Sequence, residues 1–309
     1  MRGYLVVDKP AGLTSHDIVG IVRAVTGFKK VGHTGTLDPF ATGVLPVAIG
    51  KATRFIQYLD EGVKVYDATI DFSGETDTAD VEGDITRTAG PPDWSRVSQV
   101  LDALVGEQDQ TPPAYSAVKV DGKPLYKYAR AGVEKAAKPR RIRVYEAHEL
   151  GRTENTLRVR LACSRGTYVR VLGQDIAREL GSAGHLSALR RVASGRFGEE
   201  GASSLDALAE RVAGIADWRR VFRGPRDDRP PRAPRAEVQA WVQPRLVSLE
   251  EALAYLPSVA GDPAILQGAQ APPPPSGLAK GQRYTAVHDG RLLAVAESHG
   301  RFGKVLLRA

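Results

Sequence analysis

The sequence predicts an α+β protein with an antiparallel or mixed sheet and a second, smaller β-rich domain at its C-terminal end. Three observations predict it. Apolar and polar residues alternate with period two at residues 66–72 and 156–163, the pattern of half-buried strands. Strands come in runs with helical patterns interspersed among them. An Arg/Pro stretch without periodicity, 219–245, reads as a linker that divides a 309-residue chain long enough for about two domains.

In chain order, residues 4–7 read as a strand stopped by Lys9-Pro10-Ala11-Gly12. Ser15 is an N-cap for a helix to Val25, with Ile18, Val19, Val22 and Val25 on one face and Gly27 as its stop. Residues 32–43 form a Gly/Thr-rich loop, 44–49 a buried strand and 52–59 a helix. Tyr66, Ala68, Ile70 and Phe72 line one face of the next strand, opposite Asp67, Thr69 and Asp71. A helix follows over 95–105. Two strands, 141–150 and 156–163, are joined by a polar turn. Residues 168–180 are helical, ending at Gly181, and 185–192 form a strand. Past the linker come a short helix (248–256), a stiff Pro run (272–275) and short strands at 284–287, 292–296 and 305–307.

Apolar residues at 42% and charged residues at 26% are ordinary for a soluble protein, and no stretch approaches the ~18 apolar residues of a membrane helix. The first apolar run ends at Asp8 and Lys9, too short for a signal peptide. Cys163 is the sole cysteine, and the six histidines show no ligand-like pairing. A cytoplasmic, metal-free protein without a cofactor is expected. The net charge of +7 points weakly to a polyanionic partner. Its distribution says more: 219–235 holds seven Arg and two Asp, 60–110 holds 13 acids and three bases, and 119–143 holds nine bases and two acids with Tyr126 and Tyr128 interleaved. Bases with aromatics suit a phosphate backbone and stacked bases, and equally a solvated face.

The most unusual stretch is GHTGTLDPFATGVLPVAIGKATRF, residues 32–55. Six residues separate Gly43 from Gly50-Lys51 and Ala52 follows the lysine, so it is no Walker loop, and no dinucleotide fingerprint fits. What remains is one carboxylate, Asp38, in a tight loop with His33. By itself an Asp-Pro pair reads as a turn, and a single Asp argues against a glycosidase pair.

This segment resembles the active-site motif of the tRNA pseudouridine-55 synthases, the TruB family. Four further blocks resemble the family in the same order: YLVVDKPAGLTSHDIV (4–19), KVYDATIDFSGETDTADVEG (64–83), QTPPAYSAVKVDGKPLYKYARAG (110–132) and CSRGTYVRVLGQDIARELGSAGHLSALRR (163–191). The resemblance implies a mixed, largely antiparallel sheet with flanking helices. It divides the chain into a catalytic domain (1–218) with an RNA-gripping insertion (108–140), the linker, and a PUA-like RNA-binding domain (246–309). It implies isomerisation of uridine to pseudouridine in the T-loop of tRNA, without metal or cofactor. An accompanying part in tRNA folding stays open. Asp38 matches the essential aspartate, and attack at C1′, attack at C6 and removal of the C2′ proton all stay open as its role. Arg170 matches its guanidinium partner, expected to lower its pKa. Tyr66 matches the residue stacked on the target uracil, and Tyr168 and Leu189 match further pocket residues. His33 matches the residue that braces the stack vacated by a flipped base, and Asp80 an acidic rim residue. Lys9, with Pro10, matches a pocket-supporting motif and is counted with the substrate-binding residues. The expected partner is tRNA, through its T-stem and T-loop, bound by a monomer with no obligatory protein partner and no membrane. A guide-RNA-dependent synthase, an RNA chaperone and a base-releasing hydrolase are the competing readings.

Overall fold

The computed structural model describes residues 2–59, 62–224, 231 and 233–309. The first strand, β1 (Gly3–Lys9), is continuously apolar because both of its faces are covered: Leu5 and Val7 enter the main core, while Tyr4 and Val6 enter a second cluster on the opposite side. Helix α1 (Ser15–Thr26) buries the expected Ile18, Val19, Val22 and Val25 and ends at Gly27, whose φ of +75° closes it. Its cap is Thr14, one residue earlier than expected. The Thr14 hydroxyl accepts from Asp17 N, and the Asp17 carboxylate accepts from Thr14 N. Strands β2 (Val31–His33) and β3 (Thr42–Ile49) flank the Gly/Thr loop, and a 3₁₀ helix occupies Gly50–Tyr58.

Next come β4 (Lys64–Asp71), the short pair β5 (Glu75–Thr76) and β6 (Ile85–Arg87), helix α2 (Val97–Leu104) and β7 (Gly106–Gln110). The basic insertion forms β8 (Lys119–Val120), β9 (Lys123–Pro124) and α3 (Leu125–Ala129), and has a small core of its own in Val118, Leu125 and Ala137. The long strands β10 (Arg140–Arg152) and β11 (Thr156–Cys163) lead to α4 (Val169–Glu179) and β12 (His185–Ser194).

Among the described residues the sheet runs β1–β3–β12–β4–β11–β10–β7. Every neighbouring pair on that path is antiparallel except β3–β12, which is parallel. Strand β12 thus returns late in the chain to lie at the centre of the sheet. Gly43 permits the junction: a Cβ there would lie 2.3 Å from the Arg191 carbonyl oxygen. The two-residue strands β13 (Phe197–Gly198) and β14 (Ser203–Ser204) pair with β12 and β1.

The linker expected at 219–245 is corrected. After helix α5 (Leu205–Ala213), helices α6 (Trp218–Phe222) and α7 (Arg235–Val242) bury Trp218, Val221, Phe222, Val238 and Val242 in the main core. Gln239 also donates to Thr26 O at 2.7 Å, and β15 (Leu246–Val247) pairs with β1. The apolar spacing 218, 221, 222 and 238, 242 is a helical stripe that the Arg/Pro composition hides. Residues 225–230 and 232 of that segment lie outside the described residues. Past α8 (Leu249–Ala252), strands β16 (Ser258–Ala260), β17 (Arg283–His288), β18 (Arg291–Ser298) and β19 (Gly303–Arg308) form a separate small sheet. Leu249, Leu253, Leu292, Val295 and Leu307 pack with Tyr4, Val6 and Phe55, so this unit covers the second face of β1. Among the described residues no helix is long and apolar enough to cross a membrane.

A buried carboxylate ties α4 to the β5–β6 pair. Glu75, 5% exposed, accepts from Arg178 (2.8 Å to each oxygen) and from Arg87 at 2.5 Å. The Arg178 hydrogen bonds hold its pKa down, at about 2 against an ordinary 4.5. The stabilisation is therefore complete above the ordinary value and is lost as pH falls through about 2. Glu75→Gln is expected to cost about 1–2 kcal/mol at neutral pH, since both arginines remain half-exposed. In urea unfolding series the gap to wild type should narrow below the ordinary glutamate pKa. A gap of constant size down to about pH 3 would remove the carboxylate charge as its cause.

Candidate active site

Asp38 lies in the loop between β2 and β3, above the centre of the sheet, and neighbours on several elements hold that loop. The Ser15 hydroxyl accepts from Leu37 N at 2.8 Å and donates to Leu37 O at 3.2 Å. Gly12 N donates to Pro39 O at 2.9 Å, Ala41 N to Asp38 O at 3.2 Å and Thr34 N to Pro46 O at 3.1 Å. Lys9 is fully buried and its ammonium donates to Pro10 O (3.0 Å), Leu13 O (2.7 Å) and Pro39 O (3.1 Å). Placing Lys9 with the substrate-binding residues is therefore corrected: its ammonium is enclosed by three carbonyls and ties the Asp38 loop, through Pro39, to the turn that follows β1. Burial pulls its pKa down to about 8, against an ordinary 10.5. Once neutral, the amine has two N–H donors and turns a lone pair toward one of the carbonyls. Activity is expected to decline on the alkaline side near that value, and Lys9→Met should be weakly active throughout and show no such limb. An alkaline limb unchanged in Lys9→Met would assign it elsewhere.

Arg170, in the first turn of α4, is buried and spends its guanidinium on four groups. It donates to Asp38 through Nε (2.9 Å to Oδ2) and Nη2 (3.4 Å to Oδ1), to Thr78 O at 2.6 Å and to Tyr115 O at 2.9 Å. Its Nη1 also lies 3.3 Å from Asp80 Oδ2. The exposures divide the labour. The Asp38 side chain is 34% exposed, while those of Arg170 and Asp80 are 4% and 5% exposed. One carboxylate faces the opening, and the cation and second carboxylate stand behind it. Burial raises the Asp38 pKa above the ordinary 3.8, Arg170 pulls it down and Asp80 adds to the rise. The guanidinium acts in the expected direction, but desolvation outweighs it, so the expected net lowering is corrected to a rise.

Asp80 is set by its own turn. Its carboxylate accepts from the Thr78 hydroxyl (2.7 Å) and Glu82 N (3.0 Å), and Ala79 before it is held at φ +62°. Tyr66 on β4 is buried and Leu189 on β12 is 6% exposed in the main core. They lie two register positions apart, with Leu189 paired to Ala68 and Tyr66 to Arg191. Tyr168 precedes α4 and packs on the core of the insertion. His33 ends β2 and its Nδ1 is buried without a hydrogen-bond partner. Burial, Arg191 and His16 lower its pKa, so the ring is neutral at physiological pH.

The fold thus brings Asp38, Arg170 and Asp80 into direct contact and sets Lys9 under them. Two residues that position this group were missed. Gln110 closes a clamp on Tyr168, donating to its carbonyl at 3.1 Å and accepting from its amide at 2.7 Å. Its place at the head of the QTPPAYS block was the only local signal. Ser15 reads as a helix cap from sequence and is freed for the loop because Thr14 takes that role.

The N-terminal-domain model of the TruB family pseudouridylate synthases matches residues 23–169. The tRNA pseudouridine synthase B of Syntrophotalea carbinolica is 49% identical over 210 residues, covering 67% of this chain and 69% of that one. The protein of the same name from Geobacter sulfurreducens is 39% identical over 318 residues, covering 96% and 94%. Among solved structures, a chain in the crystal structure of a Cbf5–Nop10–Gar1 complex superposes with a TM-score of 0.68 at 26% identity, covering 99% of this chain and 84% of that one. The central sheet with its flanking helices is the fold of a pseudouridine synthase. Within that class the chain belongs to the TruB family.

Proposed function

We propose that the protein isomerises uridine 55 in the T-loop of tRNA to pseudouridine, with Asp38 as the essential carboxylate. The observation that carries the reading is the one-third-open Asp38 carboxylate held against a buried guanidinium in a loop fixed on several sides. The names of the relatives supply the substrate class. In the reaction the N1–C1′ bond breaks, the uracil turns and C5 bonds to C1′; the C5 proton leaves to solvent and N1 takes one up, so nothing is exchanged with a cofactor. A carboxylate that is one-third open can reach the ribose or the base of an extruded nucleotide. Tyr66, Tyr168 and Leu189 would wall that nucleotide, His33 would brace the stack it leaves and Asp80 would hold Arg170. The insertion and the C-terminal β-rich unit, read as PUA-like, would grip the T-stem and T-loop. The chain would act as a cytoplasmic monomer. The solved neighbour belongs to an assembly with two other named proteins, so independence from partners is part of the proposal.

The test is tritium release from an unmodified tRNA transcript labelled at uracil C5, with purified protein and no metal, nucleotide or partner. Release by wild type with pseudouridine mapped to position 55, and none by Asp38→Asn, is the expected result. Tight binding without release would favour a partner-dependent synthase or a chaperone, and free uracil would reveal a hydrolase.

A further inference from the structure

We propose that Arg191 is a positioning residue for this reaction, clamping the Asp38 loop from the sheet side and setting Tyr66 beside it; the proposal rests on the isomerase reading above. Arg191 lies on β12 at the one parallel junction of the central path, next to Gly43, and is fully buried. Its Nε donates to Val44 O at 2.8 Å and its Nη2 to Gly35 O at 3.2 Å. Those carbonyls stand on either side of Asp38 in the chain, so one rigid, planar group ties together both ends of the loop that presents the carboxylate. Tyr66 is its direct cross-strand partner, on the same face of the sheet. The guanidinium charge opposes the rise that burial imposes on the Tyr66 phenol and depresses the basicity of His33.

Stability does not explain this residue. Among the described residues no carboxylate pairs with Arg191; besides the two carbonyls it meets the Tyr66 phenol, where its charge and a side-chain hydrogen bond oppose the rise in pKa that burial imposes. A buried cation without a counter-charge is a burden on folding that an apolar side chain of similar size would lift. Its return is geometric, since the loop and the tyrosine are both referenced to one group.

The experiment compares wild type, Arg191→Met and Arg191→Lys, in the full chain, by thermal melting, by kcat and KM for tritium release, by tRNA affinity, and by amide exchange across residues 34–44. Expected are melting temperatures close to wild type, a kcat lowered about 100-fold in Arg191→Met with KM and affinity unchanged, and faster exchange confined to the loop. Arg191→Lys keeps the charge and can reach one of the carbonyls, so it should recover part of kcat. Rates per folded molecule within about threefold of wild type would overturn the proposal. So would a raised KM at unchanged kcat, which would make Arg191 a substrate contact. Failure of both variants to fold would also overturn it by placing Arg191 in stability alone. If wild type itself releases no tritium, the isomerase reading falls, and loop exchange still decides the clamp: unchanged protection in both variants refutes it.

Discussion

Asp38→Asn is expected to lower isomerisation by about 10⁴-fold or more while leaving the protein at least as stable as wild type at neutral pH. The two halves of this expectation share one cause. Desolvation raises the Asp38 pKa in the folded protein above the 3.8 of an exposed aspartate, despite Arg170. At any pH above both values, the ionised group is therefore disfavoured by folding, and it contributes stability only as pH falls and it takes up a proton. Asparagine keeps the shape and removes that burden. Arg170 keeps Asp80, Thr78 O and Tyr115 O as partners, so no buried cation is stranded. The same shift sets the acid limb of wild-type kcat/KM: activity that needs ionised Asp38 is lost as pH falls, and the midpoint should lie above 3.8. Tritium release, thermal melts and a pH–rate profile check the three parts. A variant that melts well below wild type would make Asp38 a structural carboxylate, and a limb at or below the ordinary value would mean that Arg170 outweighs burial.

Much of this arrangement was legible wherever a short-range pattern determines it. Helix α1 announces itself by its apolar spacing and Gly27, and β11 by strict alternation. The residues in contact across the site were legible only through the family blocks, because Asp38 and Arg170 are 132 positions apart and no local period joins them. What stayed hidden shares a physical character. Ser15 and Gln110 each act through a pair of hydrogen bonds to the backbone of one distant residue, which leave no mark on composition. Arg191 sits in a strand pattern where a basic residue reads as the solvent face, and only the insertion of β12 between β3 and β4 turns it inward. Helices α6 and α7 are short and stand on either side of the Arg/Pro stretch, so their buried stripe is outweighed in any window average taken across it. The reversed pKa of Asp38 belongs to the same group: a charge partner can be inferred from a motif, whereas desolvation depends on everything that closes over the loop.

The largest structural effect should come from Arg170→Met. The substitution keeps the bulk of the side chain and leaves Asp38 and Asp80 facing each other with no cation between them, in a site where Asp80 is 4% exposed. Breaking a buried pair from the cationic side strands the carboxylates, and about 3–5 kcal/mol of stability should be lost at neutral pH. The two carboxylates then share the site as like charges, and one of them takes up a proton. Asp38 loses the strongest of the influences that hold its pKa down, so its pKa rises further. Any activity that survives should have its acid limb displaced toward neutrality relative to wild type. Stability should improve on acidification as the pair takes up its proton, reversing the trend expected at Glu75, where protonation removes a favourable contact. The double variant Arg170→Met/Asp80→Asn separates the two functions of the guanidinium. Removing the second charge should recover about half of the lost stability, because one stranded carboxylate is easier to accommodate than two. It should recover no isomerisation, because Asp38 still lacks the donors at 2.9 and 3.4 Å that orient it. Urea unfolding across pH and single-turnover tritium release measure both. Recovery of activity along with stability would show that Arg170 serves only to neutralise, and that the orientation of Asp38 comes from the backbone of its loop.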